Sequence, residues 1–77
     1  MVVRIKIMAP MVSMNGKKEF DYHFDNKMNV EELLLDLKYR TQHIPNIVCH
    51  VNGEIKNSKY EISDGDEILF SILMGGG

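Results

Sequence analysis

The chain has 77 residues, of which 44% are hydrophobic and 26% charged, with a formal net charge of −2. That is the composition of one ordinary globular domain, and it excludes disorder and the basic footprint of a nucleic-acid binder. A single cysteine excludes an internal disulfide, no apolar run approaches the roughly 20 residues of a membrane span, and the start Met-Val-Val-Arg-Ile-Lys-Ile lacks a signal-peptide layout, so the expectation is a cytoplasmic protein. A chain this short buries only about 60–65% of its unfolded surface. It can hardly spare a large substrate cavity, which argues against an enzyme that works unaided.

Val3, Ile5 and Ile7 alternate with Arg4 and Lys6, the period-two pattern of a strand with one buried face, predicted over Val2 to Met8. A connecting loop follows, marked by Pro10 and Asn15-Gly16. Alternation returns from Glu19 to Asp25, with Phe20, Tyr22 and Phe24 on one face. This second strand is expected antiparallel to the first and near an edge.

The period then changes. Val30, Leu33, Leu34 and Leu37 form one apolar helical stripe, with Asn29 as N-cap and Glu32 completing a capping box. Glu31 and Glu32 suit the start of the helix dipole, and Lys38 and Arg40 suit its end. The spacing predicts a helix from about Val30 to Gln42, stopped by the constraint that Pro45 places on Ile44. Ile47 to Val51 reads as a third strand, Asn52-Gly53 as a two-residue hairpin turn, and Glu54 to Lys56 as a short strand. An irregular piece through Tyr60 and Ile62 leads to the Asp64-Gly65 turn.

The final strand is apolar on both faces, with Ile68, Phe70 and Ile72 on one side and Leu69, Ser71 and Leu73 on the other. Such a strand belongs in the middle of a sheet. A single helix can cover one face of a four- or five-stranded sheet, burying Val3, Ile5, Ile7, Phe20, Phe24, Val30, Leu34, Leu37, Ile68 and Phe70. The expected class is α+β and the fold the ubiquitin-like β-grasp, a mixed sheet with one main helix on one face and the first and last strands parallel at its centre. Residues 1–74 are expected to form this domain, and residues 75–77 a flexible glycine tail.

Glycine has nothing to bury and loses the most freedom when ordered, so Gly75, Gly76 and Gly77 do not serve stability. An unstructured end has the same composition, but these glycines directly follow a central strand and no tag accompanies them. A backbone without Cβ atoms can enter a channel too narrow for other residues, and three extended residues hold the terminal carboxylate about 10 Å from the strand. The sheet face away from the helix places Leu69, Leu73, Val48, His50 and Met8 beside this tail, with Met74 at its start. An apolar patch there is a docking surface for whatever receives the carboxylate.

Other chemistry is weaker. His23, His43, His50 and Cys49 have no metal-ligand spacing, so no metal is expected. Cys49 and His50 point to opposite faces of one strand, which removes a thiolate–base pair, and Cys49 reads as a small buried hydrophobe. Asp64, Asp66 and Glu67 could bind a divalent cation but are first a turn signal.

Val51-Asn52-Gly53-Glu54, Asp64-Gly65-Asp66-Glu67-Ile68 and the terminal Gly76-Gly77 resemble the ThiS/MoaD family of β-grasp sulfur carriers over essentially the whole chain. The resemblance implies a protein co-substrate rather than an enzyme. An adenylyltransferase related to ubiquitin-activating enzymes would use ATP and magnesium to adenylate Gly77, and sulfur from a persulfide donor such as a cysteine desulfurase would leave a thiocarboxylate. It further implies no bound cofactor, and an acceptor such as the large subunit of molybdopterin synthase or a thiazole synthase. Met8-Ala9 and the long loop to Gly16 look more like the small subunit of molybdopterin synthase, whereas Asn52-Gly53-Glu54 looks more like the thiamine carrier. Molybdopterin synthesis is the expected pathway, with thiamine thiazole synthesis or a ubiquitin-like modifier joined to lysines as alternatives. Neither membrane nor nucleic acid is expected as a partner.

Overall fold

The computed structural model describes residues 1–73. β1, Val2–Ile7, and β5, Glu67–Ile72, come from opposite ends of the chain and lie parallel, with Arg4 opposite Glu67, Ile5 opposite Ile68 and Ile7 opposite Phe70. β2, Glu19–His23, pairs antiparallel with β1 and forms one edge. β3, Ile47–Val51, pairs antiparallel with β5 and with β4, Glu54–Lys56, so the five-strand order is β2-β1-β5-β3-β4. This is the mixed β-grasp sheet that the sequence predicts, and β5 lies at its middle, as its two apolar faces require.

The alternation in the strands sets the layers. Val3, Ile5 and Ile7 of β1, Ile68 and Phe70 of β5, and Cys49 and Val51 of β3 are buried with Val30, Leu33 and Leu34 of α1, Val30–Asp36. Phe24 joins them just beyond β2, whereas Phe20 and Leu37 pack only half-buried at the margin. Met11, Ile44 and Ile62 complete the core from outside the strands and α1, where no periodicity announces burial. Cys49 is a buried hydrophobe, and burial pushes its thiol up to about 12.

The capping box forms as predicted. Asn29 Oδ1 accepts from the Glu32 N–H at 2.8 Å, and Glu32 Oε1 accepts from the Asn29 N–H at 2.9 Å. The helix, however, ends at Asp36 rather than Gln42. Leu37 is the C-cap and Lys38 turns left-handed with φ of 76°. The Lys38 N–H donates to the Leu35 carbonyl at 3.0 Å and the Tyr39 N–H to the Leu34 carbonyl at 3.1 Å. These two bonds are a Schellman stop, with lysine where glycine is usual. Lys38 and Arg40 therefore lie past the helix rather than in its last turn. Pro45 falls inside a 3-10 helix, Thr41–Asn46, and does not act as the stop.

Asn52 and Gly53 both have positive φ, 52° and 86°, as a two-residue hairpin turn requires. β1 ends one residue short of Met8, although the Met8 N–H still donates to the Phe70 carbonyl at 2.9 Å. β2 ends at His23 rather than Asp25, with the Phe24 N–H bonded to the Met1 carbonyl at 2.9 Å.

Candidate functional site

Residues paired across neighbouring strands share a face, so the register identifies what the open side of the sheet presents. One row crosses all five strands as Glu19, Lys6, Leu69, His50 and Ile55. A second row, towards the start of β5, holds Asp21, Arg4 and Glu67. On the other side of the first row Val48 faces Ser71, with Met8 and Leu73 beyond the strand ends.

The face is therefore divided. At its charged end Arg4 donates from Nη1 to Glu19 at 2.8 Å and from Nε towards Asp21 at 2.7 Å. Such exposed pairs add little stability but fix where the charge lies. At the other end Leu69 and Val48 are half-buried, while Met8 is 51% and Leu73 60% exposed. Ile55, 70% exposed, extends the apolar surface onto β4.

This brings together the sequence-derived docking residues Leu69, Leu73, Val48, His50 and Met8. His50 is half-buried, and its Nδ1 is buried with no hydrogen-bond partner among the described residues. Met74, Gly75, Gly76 and Gly77 lie outside the described residues. One contributor that sequence reading missed is Asn46, whose carbonyl accepts from the Leu73 N–H at 2.7 Å. It continues the β3–β5 pairing by one residue, to Leu73. A backbone carbonyl carries no sequence signal, so only the register reveals it.

The acidic cluster has structural partners. Asp66 is buried and accepts from the Ser63 N–H at 2.8 Å, Asn52 Nδ2 at 3.0 Å and the Tyr60 hydroxyl at 3.3 Å. Asp64 Oδ1 accepts from the Val2 N–H at 2.8 Å. These carboxylates hold turns to strands, and no group of three His, Cys, Asp or Glu among the described residues is placed to hold a metal ion. Cys49 faces the helix, away from the open side, and its raised pKa leaves almost no thiolate at neutral pH. Among the described residues the open face thus offers an apolar surface beside the end of β5.

The sequence model of the ThiS family matches residues 5–77. The chain belongs to the ThiS family. Solved structures agree in fold: a putative molybdopterin converting factor subunit 1 from Pyrococcus furiosus has a TM-score of 0.72 at 19% identity, covering 92% of this chain and 95% of that one. Subunits 1 and 2 of the molybdopterin-converting factor from Helicobacter pylori form a protein–protein complex in a structure that matches with a TM-score of 0.64 at 18% identity, covering 100% of both chains. A thiamine biosynthesis protein, ThiS, from Geobacter metallireducens is 27% identical with a TM-score of 0.59, covering 96% of this chain and 99% of that one. No curated protein matches the sequence. This ThiS-family chain has the ubiquitin-like β-grasp fold of the ThiS/MoaD sulfur carriers, which are small carrier subunits rather than catalysts.

Proposed function

We propose that this ThiS-family chain carries sulfur as a thiocarboxylate on Gly77. The observation that carries the reading is the family match, which extends over residues 5–77 and so includes the terminal glycines. A carboxylate with a pKa near 3.5 is ionised at neutral pH and a poor electrophile. Transfer of AMP from ATP makes it a mixed anhydride with a good leaving group. The terminal sulfur of a persulfide then displaces AMP and joins donor and carrier through an acyl disulfide. A thiol reductant attacks the donor's own sulfur and breaks the S–S bond, so the thiocarboxylate leaves on Gly77 and the donor and reductant are left joined as a disulfide.

In this reading Gly77 supplies the reacting carbon and Gly75 and Gly76 supply passage into the partner's active site. Leu69, Leu73, Val48, His50, Met8 and Met74 form the docking surface, and the carrier contributes no catalytic side chain. ATP and magnesium belong to the activating adenylyltransferase, and the persulfide to a cytoplasmic sulfur donor. The acceptor we favour is the large subunit of a molybdopterin synthase, in keeping with the likeness to molybdopterin converting factor subunit 1. A thiazole synthase of thiamine synthesis is the second reading, favoured by the 27% identity to a thiamine biosynthesis protein.

Intact mass spectrometry of the protein from its own host, with an alkylating reagent that traps thiocarboxylates, tests the chemistry. The expected result is one oxygen-for-sulfur exchange at Gly77, absent from a variant lacking that residue. A terminus that stays a carboxylate, in a protein that forms no adenylate with ATP and the host's activating enzymes, overturns the reading.

A further inference from the structure

On the helix side of the sheet, beside the exit of the chain, lies a groove of about 400 Å³ that the carrier reading does not use. Buried Met11 and half-buried Ile47 and Ile72 line it from the core side. Val12 and Met14 line it from the β1–β2 loop, with Val12 70% exposed. The loop is held in place: the Tyr39 hydroxyl donates to the Val12 carbonyl at 2.6 Å, and Asn15 Oδ1 accepts from the Lys17 N–H at 2.9 Å. The groove is therefore pre-formed, with apolar side chains kept in water at its edge.

Its charge is one-sided. Lys38, Arg40 and His43 line it, all exposed, and no acidic residue does, although the chain carries 11 acidic residues against 9 Lys and Arg. Among the described residues neither Lys38 nor Arg40 enters an ion pair; the salt bridges there use Arg4 and Lys56. Lys38 also occupies a left-handed position that glycine would fill at lower cost, so a cation is held at this edge against the local backbone preference. Ile72 belongs to the helix-facing side of β5, and Asn46, which also lines the groove, accepts the Leu73 N–H. The groove and the open face thus lie on opposite sides of the end of β5.

We propose that this groove binds a short acidic segment of a partner protein, with bulky apolar side chains seated on Met11, Ile47 and Ile72 and carboxylates against Arg40, Lys38 and His43. Arg40 is the principal anchor, because a guanidinium engages a carboxylate through two parallel hydrogen bonds. The charge sets partner choice and the apolar floor supplies the burial. The site is independent of whether Gly77 is sulfurated.

The test is an amide chemical-shift titration of the full 77-residue protein with an eight-residue peptide of Glu and Asp flanking Leu and Phe. Two control peptides replace the acidic residues by Lys, or Leu and Phe by Ala. We expect saturable shifts centred on Val12, Tyr39, Arg40 and Ile72, and at least tenfold weaker binding of either control. Reversing the charge in Lys38→Glu/Arg40→Glu should weaken the acidic peptide at least tenfold and strengthen the lysine peptide. Arg40→Glu alone serves if the double variant loses its dispersed spectrum. Equal binding of the lysine peptide, shifts confined to Leu69 and His50 on the open face, or no shift at millimolar peptide would each overturn the proposal. Decanoate occupying the groove while the peptide does not would overturn it in favour of a small anionic ligand.

Discussion

The side-chain amide of Asn52, at the tip of the β3–β4 turn, donates to the buried carboxylate of Asp66 at 3.0 Å and accepts from the Glu67 N–H at 2.9 Å through its Oδ1. One residue in a hairpin turn thereby fixes where the central strand begins. The main chain reinforces this, since the Arg4 N–H donates to the Asp66 carbonyl at 3.0 Å and the Asn52 N–H to the Glu67 carbonyl at 2.8 Å. Asp66→Ala leaves the Ser63 N–H, Asn52 Nδ2 and the Tyr60 hydroxyl without their acceptor, at a cost of about 2–4 kcal/mol. Asn52→Gly keeps the positive φ but loses both side-chain bonds, at about 1–2 kcal/mol. Urea unfolding of the two variants and their combination should give a coupling of about 1 kcal/mol, since they share a bond. Strict additivity would mean that the contact contributes nothing.

The Lys38 position makes an opposite prediction. A non-glycine residue in the left-handed region costs about 1–2 kcal/mol, part of which glycine returns as unfolded-state entropy. Lys38→Gly should therefore raise stability by up to about 1 kcal/mol, and Lys38→Val should lower it by about 1–2 kcal/mol because a β-branched residue tolerates positive φ least. A shift of the urea midpoint in the same direction for both would refute the Schellman reading of the helix end.

The helix end also shows how far residue patterns carry. The sheet was legible because Val3-Ile5-Ile7 and Ile68-Phe70 repeat every second residue, and the capping box because Asn29 and Glu32 stand at the required spacing. The helix stop was not, because Lys38 carries no Schellman signature; only its φ and two hydrogen bonds mark it. Ile44 and Ile62 were missed as core for a related reason, since a lone apolar residue in a short 3-10 helix or a loop has no period. The apolar end of the open face was legible through the two-sidedness of β5, whereas the contact of Asn46 with Leu73 depends on strand register.

Cys49 yields a prediction about reactivity and pH. Burial raises its pKa from 9.0 to about 12, so at neutral pH the native thiol should react with a disulfide reagent only as fast as the protein opens. An unfolded thiol loses its proton first as pH rises, so unfolding becomes easier between those values, by up to about 1.4 kcal/mol per pH unit. Above pH 10 the tyrosines add to the same trend, because burial raises Tyr22, Tyr39 and Tyr60 as well. Urea midpoints at pH 8 and pH 10 should therefore fall further for the native sequence than for Cys49→Ala. Equal falls would show that the thiol is not protected.

Under the proposed carrier function, in which Gly77 is adenylated by an activating enzyme, the open face and the terminal glycine are expected to fail differently, and that difference separates docking from chemistry. Leu73 is exposed, so Leu73→Asp should change stability by no more than about 0.5 kcal/mol. It places a charge on an apolar contact surface, which costs about 2 kcal/mol or more if that contact is a binding hot spot. In ATP–pyrophosphate exchange by the activating enzyme, Leu73→Asp should raise KM by tenfold or more and leave kcat within about twofold, because the interaction is made equally in the bound and reacting states. Leu69→Lys, which adds a cation between Lys6 and His50, should behave the same way. Deleting Gly77 should instead abolish exchange at any carrier concentration, since the reacting carboxylate is displaced by a residue. A Leu73→Asp variant with an unchanged KM and a depressed kcat would contradict the docking role, because it would mean that Leu73 acts on the positioning of the tail and not on the encounter.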